Sequence, residues 1–181
     1  MSLLTGAAAE LAAVAAAMDD ATLDPVVDAI AGAHRVMLYG CGREGLMMRA
    51  LAMRLYHLGV TVCFQGDMAA FPLGPGDLFL CAAGPGELST GSALVGVAKA
   101  AGARVLVVTA ESGGSTSRLA DQLLVIPAQT MARDVGGASV LPMGSLFEGA
   151  MFLVFEVLVL RLRDRLGETP ASMRARHTNM E

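Results

Sequence analysis

Five short apolar runs, bounded by Gly, Pro or charged residues, set the rhythm of this chain: Arg35–Tyr39, Val60–Phe64, Asp77–Ala82, Arg104–Thr109 and Gln122–Ile126. Apolar side chains fill consecutive positions in them, which is the pattern of strands covered on both faces and hence of a parallel sheet. Around them lie stretches with helical spacing: Leu3–Met18, Asp24–Ala33, Arg43–Leu58, Leu88–Ala101 and a short one near Ser115–Ala120. The link from Val60–Phe64 to Asp77–Ala82 is instead a loop containing Phe71-Pro72-Leu73-Gly74-Pro75-Gly76. Strands and helices alternating through short connections predict an α/β fold: one doubly wound domain over residues 1–181, with a five-stranded parallel sheet and helices on both faces.

A helical N-terminal segment (about 1–34) precedes the sheet core (about 35–128), and a closing helix with a tail follows (about 142–181). That closing helix, about Ser145–Arg165, is apolar on nearly every side, with Phe147, Met151 to Phe155 and Val157 to Leu160. Such a helix is expected to be buried between the sheet and another subunit.

Composition sharpens this picture. The 181 residues suffice for one core and are too few for two ordinary domains. Hydrophobic residues make up 54% and charged residues 17%, which excludes a disordered chain. Aromatics are only 4%, so Ala, Val, Leu and 12 Met fill the interior. That apolar excess argues for a homo-oligomer.

A net charge of −4 argues against nucleic acid as a partner. The late basic cluster of Arg161, Arg163, Arg165, Arg174 and Arg176 reads as a solvated helix end, suited to the helix dipole. The most apolar stretch, Glu148–Leu160, is interrupted by Glu156 and falls short of the ~20 residues of a membrane span. The Ala-rich start carries Glu10 and runs into Asp19-Asp20, unlike a secretory signal. Three cysteines, an odd number without metal-type spacing, fit the reducing cytoplasm. Cys41, Cys63 and Cys81 each lie in or beside a predicted strand and read as buried, inert thiols.

In such sheets ligands sit beyond the carboxyl ends of the strands. Three loops fall there: Gly40-Cys41-Gly42-Arg43-Glu44-Gly45, Gly84-Pro85-Gly86-Glu87, and Thr109 to Thr116 with Ser112-Gly113-Gly114-Ser115. Each leads into a helix start, where free N–H groups favour anions. Gly40-x-Gly42-x-x-Gly45 alone is a weak dinucleotide fingerprint, and Asp67 would have to serve as its acidic ribose ligand.

Together these loops resemble the sugar-isomerase (SIS) family, most closely its 6-phospho-3-hexuloisomerase branch. The similarity runs from about Val36 to the C-terminus. It rests on Gly40-Cys41-Gly42-Arg43, Met53-Arg54-Leu55-Tyr56-His57-Leu58-Gly59, Pro142-Met143-Gly144-Ser145-Leu146-Phe147-Glu148 and Arg176-His177-Thr178-Asn179-Met180-Glu181. The resemblance implies a tetramer that interconverts D-arabino-hex-3-ulose 6-phosphate and fructose 6-phosphate without metal or organic cofactor. It implies Glu148 as the base that shuttles a proton through an enediolate, with a pKa tuned upward. His57 and His177 compete for an auxiliary role, and the tail bearing His177 would pack toward a neighbouring subunit's site. The substrate would be held by Gly42, Arg43 and Glu44, by Ala83 to Leu88 (Ala83, Gly84, Pro85, Gly86, Glu87 and Leu88), and by Ser112 and Ser115.

A plainer reading exists for Glu148, because Ser145-x-x-Glu148 at a helix start also spells a capping box. The loops depart from the family as well. Glu44 stands where SIS proteins usually carry Ser, and Ala83-Gly84-Pro85-Gly86-Glu87-Leu88 replaces Ser-Gly-Ser-Gly-Glu-Thr. Three hydroxyls and one N–H donor are gone from the second loop. A carboxylate about 4 Å from a phosphate charge costs roughly 4 kcal/mol at an effective dielectric of about 20, unless Glu44 simply points to solvent. Arg43, Ser89, Thr90, Ser112, Ser115 and Thr116 are available to rebuild the cradle. The departures keep open a regulatory SIS module, and a site for an unphosphorylated or cationic sugar derivative.

Overall fold

Once the strands pair, the continuous apolar runs resolve into two alternating sets. Val36, Leu38, Leu78, Leu80, Leu106 and Val108 face one layer, while Met37, Tyr39, Phe79, Cys81, Val105 and Val107 face the other. The computed structural model describes residues 2–134 and 139–180. Glu181, the last residue of the C-terminal motif, lies outside the described residues.

The strands are β1 (Val36–Tyr39), β2 (Val62–Phe64), β3 (Leu78–Ala82), β4 (Arg104–Thr109) and β5 (Gln122–Val125), all parallel, in the order β2-β1-β3-β4-β5. Each lies inside a run read from the sequence. Val36 pairs with Val62 on one side and Leu78 on the other, so β1 is an interior strand beside β3, the central one. The helices are α1 (Leu3–Ala16), α2 (Asp24–Ala31), α3 (Gly42–His57), α4 (Ser89–Ala100), α5 (Ser145–Leu166) and α6 (Pro170–Ala175).

The two faces are covered unequally. Residues of α2, α3 and α5 form the larger core with one sheet face, and Val14 of α1 joins them. The other face is packed by α4, with Phe71 and Leu73 of the β2–β3 loop filling the ground a crossover helix would take. Several details differ from the sequence reading. The α1 helix buries only Val14 fully and leaves Leu3 and Leu4 exposed. The stretch near Ser115–Ala120 is a single 3-10 turn at Ser117–Leu119. The tail folds into α6, which Thr169 and Ser172 open with a reciprocal capping box.

Much of the closing helix is covered within its own chain. Phe147, Met151, Phe155, Leu158 and Leu162 are buried, with α1, α2 and α3 alongside. Phe152, Leu153 and Leu160 stay exposed. Most of the basic cluster is also paired at the surface. Arg161 pairs with Asp24, Arg165 with Asp28 at 3.2 Å, and Arg176 with Glu168 at 2.8 Å. No helix among the described residues is long and apolar enough to cross a membrane.

One ion pair fastens the amino ends of β1 and β3. Arg35 donates from Nε and Nη2 to the two carboxylate oxygens of Asp77, at 3.1 and 2.6 Å, and the Gly74 amide donates to the same group. The guanidinium hydrogen bond, aided by the amide, holds the Asp77 carboxyl below its ordinary pKa. A lowered folded-state pKa stabilises the fold above the unfolded value of about 3.9, and the contribution fades as pH falls through the folded one. Asp77→Asn is therefore expected to lower the melting temperature at pH 7. Melts of both proteins from pH 7 to pH 3 should show the gap narrowing below about pH 4.

Candidate functional site

The sheet order reverses direction at β1, so the chain leaves β1 and β3 toward opposite faces and a crevice opens between their carboxyl ends. A cavity of about 400 Å³ occupies it. Its walls come from the β1–α3 turn (Cys41, Gly42, Arg43, Glu44), the β3–α4 loop (Ala83, Pro85, Leu88), the segment after β5 (Thr130, Met131) and the start of α5 (Met143, Gly144, Phe147, Glu148).

Arg43, in the first turn of α3, reaches across this space. Its Nε lies 2.9 Å from Glu148 Oε2, its Nη1 donates to Ser145 Oγ at 2.8 Å, and its Nη2 donates to the Met143 carbonyl at 2.7 Å. These contacts bear on the capping-box reading of Glu148. The N-cap of α5 is Gly144 (φ 83°) without a side-chain cap bond, so the expected capping box does not form. Glu148 instead faces the cavity with a side chain 16% exposed. Burial pushes its pKa above the ordinary carboxylate value, and Arg43 opposes the rise. Met143 (φ 57°) and Gly144 both adopt left-handed backbone, which turns the Met143 carbonyl toward Arg43. Holding Met143 there costs of order 1 kcal/mol, as local strain does at functional sites.

Glu44 is half-buried and tied down rather than pointing freely to solvent or into the cavity. Its Oε2 accepts the Gly84 N–H at 3.0 Å, bridging the loops that follow β1 and β3. Its pKa is raised, chiefly by burial and further by the charge of Glu148, while the Gly84 amide lowers it. Gly84 is required here, because a Cβ would come within 2.6 Å of Glu44 Oε1 and 2.8 Å of the Phe147 ring. The cavity thus holds two carboxylates, Glu44 and Glu148, both inclined to keep a proton longer than an exposed one would.

The remaining expected residues divide. Gly42, Arg43, Glu44, Ala83, Pro85, Leu88 and Glu148 line the cavity, and Gly84 borders it through Glu44. Gly86, Glu87, Ser112 and Ser115 do not line it. The Thr109–Thr116 loop supports the β3–α4 loop from behind, with Thr116 N–H donating to the Gly86 carbonyl and Leu88 N–H to Thr116 Oγ1. Asp67 pairs with Arg49 at 3.1 Å and accepts the Phe64 amide, so it closes a turn and does not line this cavity.

His57 and His177 lie together, ring centroids 5.2 Å apart, beside a separate pocket lined by Met53, Arg54, Pro170, Met173 and Arg174. The length of α3, roughly 20 Å between Arg43 and His57, separates them from Glu148 within one chain. Cys41 corrects the reading of inert thiols. It sits two residues beyond Tyr39, at the N-cap of α3, where the chain has left the sheet. It is exposed in the cavity wall, with its sulfur 2.9 Å from the Tyr39 hydroxyl. Burial, with that hydrogen bond adding to it, pushes the Tyr39 phenol up to about 12. Cys63 is half-buried, and only Cys81 is fully buried.

Met143, Gly144 and Phe147 also line the cavity, marked beforehand only as members of the Pro142–Glu148 motif, and Thr130 and Met131 join them from a segment that the sequence did not single out. The available signal was positional. Gln129-Thr130 follows the apolar run ending at Ile126, and so belongs to a fourth loop at the carboxyl end of the sheet.

Comparison with known proteins places this geometry. The SIS domain model matches residues 29–153. A protein of Bacillus subtilis named 3-hexulose-6-phosphate isomerase is 31% identical over 95% of this chain and 94% of its own length. One of the same name from Mycobacterium gastri is 35% identical over 95% of this chain and 86% of its own. A crystal structure from Methanococcus jannaschii, for which 3-hexulose-6-phosphate isomerase function was inferred, superposes with a TM-score of 0.85 at 23% identity and covers 98% of both chains. With the family model matched over the whole sheet and the first part of α5, this chain belongs to the SIS domain family.

Proposed function

We propose that this chain is a sugar-phosphate isomerase that interconverts hex-3-ulose 6-phosphate and fructose 6-phosphate, with Glu148 moving the proton. The observation that carries the reading is Glu148 itself. It is a largely buried carboxylate with a raised pKa on the wall of a sugar-sized cavity, 2.9 Å from a guanidinium. The chain that holds it is 31% and 35% identical to two relatives named for this reaction.

In the forward direction the Glu148 carboxylate takes the proton from C2, beside the C3 carbonyl. The electron pair moves into an enediolate across C2 and C3, and the same carboxyl returns the proton to C3 while the hydroxyl proton passes from O2 to O3 and the carbonyl forms at C2. Arg43 lies where it offsets the negative charge of the intermediate. Phosphate recognition falls to Arg43 and to the amino ends of α3 and α4, which open on the cavity without the usual serines. The exposed Cys41 thiol in this wall suits a reducing, cytoplasmic setting.

The chain acts as a homo-oligomer in this reading, a tetramer as in the resembling branch. Leu46, Met53 and Tyr56 form an exposed stripe on α3, and Phe152, Leu153 and Leu160 another on α5. Arg54 and Glu156 join these neighbouring helices at 3.2 Å. Covering that surface with a second subunit would hide apolar area and bring the His57–His177 pair of one chain toward the cavity of another. A regulatory SIS module remains the second reading, favoured by Glu44 holding the Gly84 amide that would otherwise meet a phosphate.

Turnover of hexulose 6-phosphate separates the two. The wild type is expected to convert it, and Glu148→Gln to lose at least ~100-fold in rate. A wild type that binds sugar phosphates without converting them establishes the regulatory module instead. The pH profile supplies a further check, because a base works only when deprotonated. The kcat/KM should fall as pH drops through the raised pKa of Glu148, and Arg43→Gln, which removes the lowering charge, should move that acid limb to higher pH. Sedimentation of the wild type should show an oligomer, and a stable monomer would remove the histidines from the site.

A further inference from the structure

The isomerisation moves two protons, one between carbons and one from O2 to O3, and Glu148 accounts for the first. The cavity wall holds a second carboxyl, Glu44, which enters from the first turn of α3 while Glu148 enters from α5. One of its oxygens, Oε2, accepts the Gly84 amide. The other, Oε1, makes no hydrogen bond, and unlike the orphaned Thr130 Oγ1 it is not sealed from the surface. Its neighbours fix where it lies. A Cβ on Gly84 would come within 2.6 Å of Oε1 and 2.8 Å of the Phe147 ring, and Ala83, Pro85 and Phe147 all line the cavity. Glu44 is thus anchored by one oxygen and presents the other at the wall.

The Gly84 bond does not call for a carboxylate. A neutral side-chain carbonyl would accept that amide as well, without the cost of placing a charge beside Ala83 and Phe147. Electrostatics also divides the two carboxyls. The Arg43 guanidinium, 2.9 Å from Glu148, favours the ionised form there. At Glu44, burial and then the charge of Glu148 favour the protonated form, against the Gly84 amide. The other titratable groups around Glu44 are Cys41, in its own turn and bonded to Tyr39, and Cys81 on β3. Burial, with the Glu44 charge adding to it, pushes the Cys81 thiol up to about 12, so that group stays neutral. The wall therefore offers a base and an acid to the same space, set apart by their surroundings.

We propose that Glu44 is a second catalytic residue, the group that carries the hydroxyl proton from O2 to O3. As Glu148 takes the C2 hydrogen and the C3 carbonyl electrons move onto O3, the Glu44 carboxyl gives its proton to O3. The Glu44 carboxylate so formed takes the proton of the O2 hydroxyl, the C2 carbonyl closes, and Glu148 returns its proton to C3. Both carboxyls end as they began. This role rests on the isomerase reading of the cavity and supplies its second proton carrier.

Glu44→Gln tests it, because glutamine keeps an oxygen for the Gly84 amide and cannot transfer a proton. Turnover of hexulose 6-phosphate is measured across pH for both proteins, with melts to confirm that the variant folds. The variant should lose about 100-fold in kcat, the scale of a general acid–base group, without a rise in KM. The wild-type kcat should fall at alkaline pH, where Glu44 has lost its proton, and that limb should be missing from the variant's profile. Wild-type kcat in Glu44→Gln overturns the inference and leaves the role of Glu148 standing. A loss confined to KM overturns it too, since Glu44 would then serve binding alone. Should the variant not fold, the wild-type profile decides: no alkaline limb, or one that vanishes in Cys41→Ser and so belongs to the thiol, overturns the inference. A wild type that does not turn over hexulose 6-phosphate overturns both this role and the isomerase reading.

Discussion

The Arg43 guanidinium directs all three of its nitrogens to one short stretch of chain about a hundred residues away: Glu148, Ser145 Oγ and the Met143 carbonyl. Bidentate and charge-assisted contacts of this kind set angle as well as distance, which a lysine's single ammonium does not. The first turn of α3 is thereby locked to the first turn of α5, and the crevice between the ends of β1 and β3 acquires a far wall. The left-handed backbone at Met143 and Gly144 presents the carbonyl that Arg43 grips. The orientation of Glu148 hangs on this clip.

Much of the architecture was legible because the strands are buried on both sides. Uninterrupted runs such as Leu78–Ala82 and Arg104–Thr109 leave helix and loop few claims on those residues, and Gly or Pro marks several of the boundaries. The site was legible in part. Gly42, Arg43, Glu44 and Glu148 meet as their motifs imply, since helix starts at strand ends can only be brought to one edge of a parallel sheet. What a single motif does not encode is which neighbour a side chain finds. Ser145-x-x-Glu148 spells a capping box, and the competing guanidinium that takes Glu148 sits in another motif altogether. Cys41 looked buried because Tyr39 is, yet two further residues carry the chain out of the sheet.

The two groups of candidate residues occupy opposite ends of α3, and one chain does not join them. Glu148 and the loop residues gather at its start, while His57 and His177 gather at its finish. The apolar stripes on α3 and α5 run along the helices between these ends, so the proposed assembly and the proposed chemistry draw on the same surface. Arg54 and Glu156 between the stripes would add polar specificity to an otherwise greasy contact.

Glu44 has a consequence of a different kind. Its carboxylate already supplies the Gly84 amide with the negative partner that an incoming anion would seek there. A dianionic ligand settling on that amide must displace a like charge or arrive together with a proton that neutralises it. Occupancy by such a ligand and proton uptake by the protein are then linked, and each favours the other by the same factor. A neutral polyol meets no such toll, so this one carboxylate tilts the cavity's choice of guest according to the acidity of the medium.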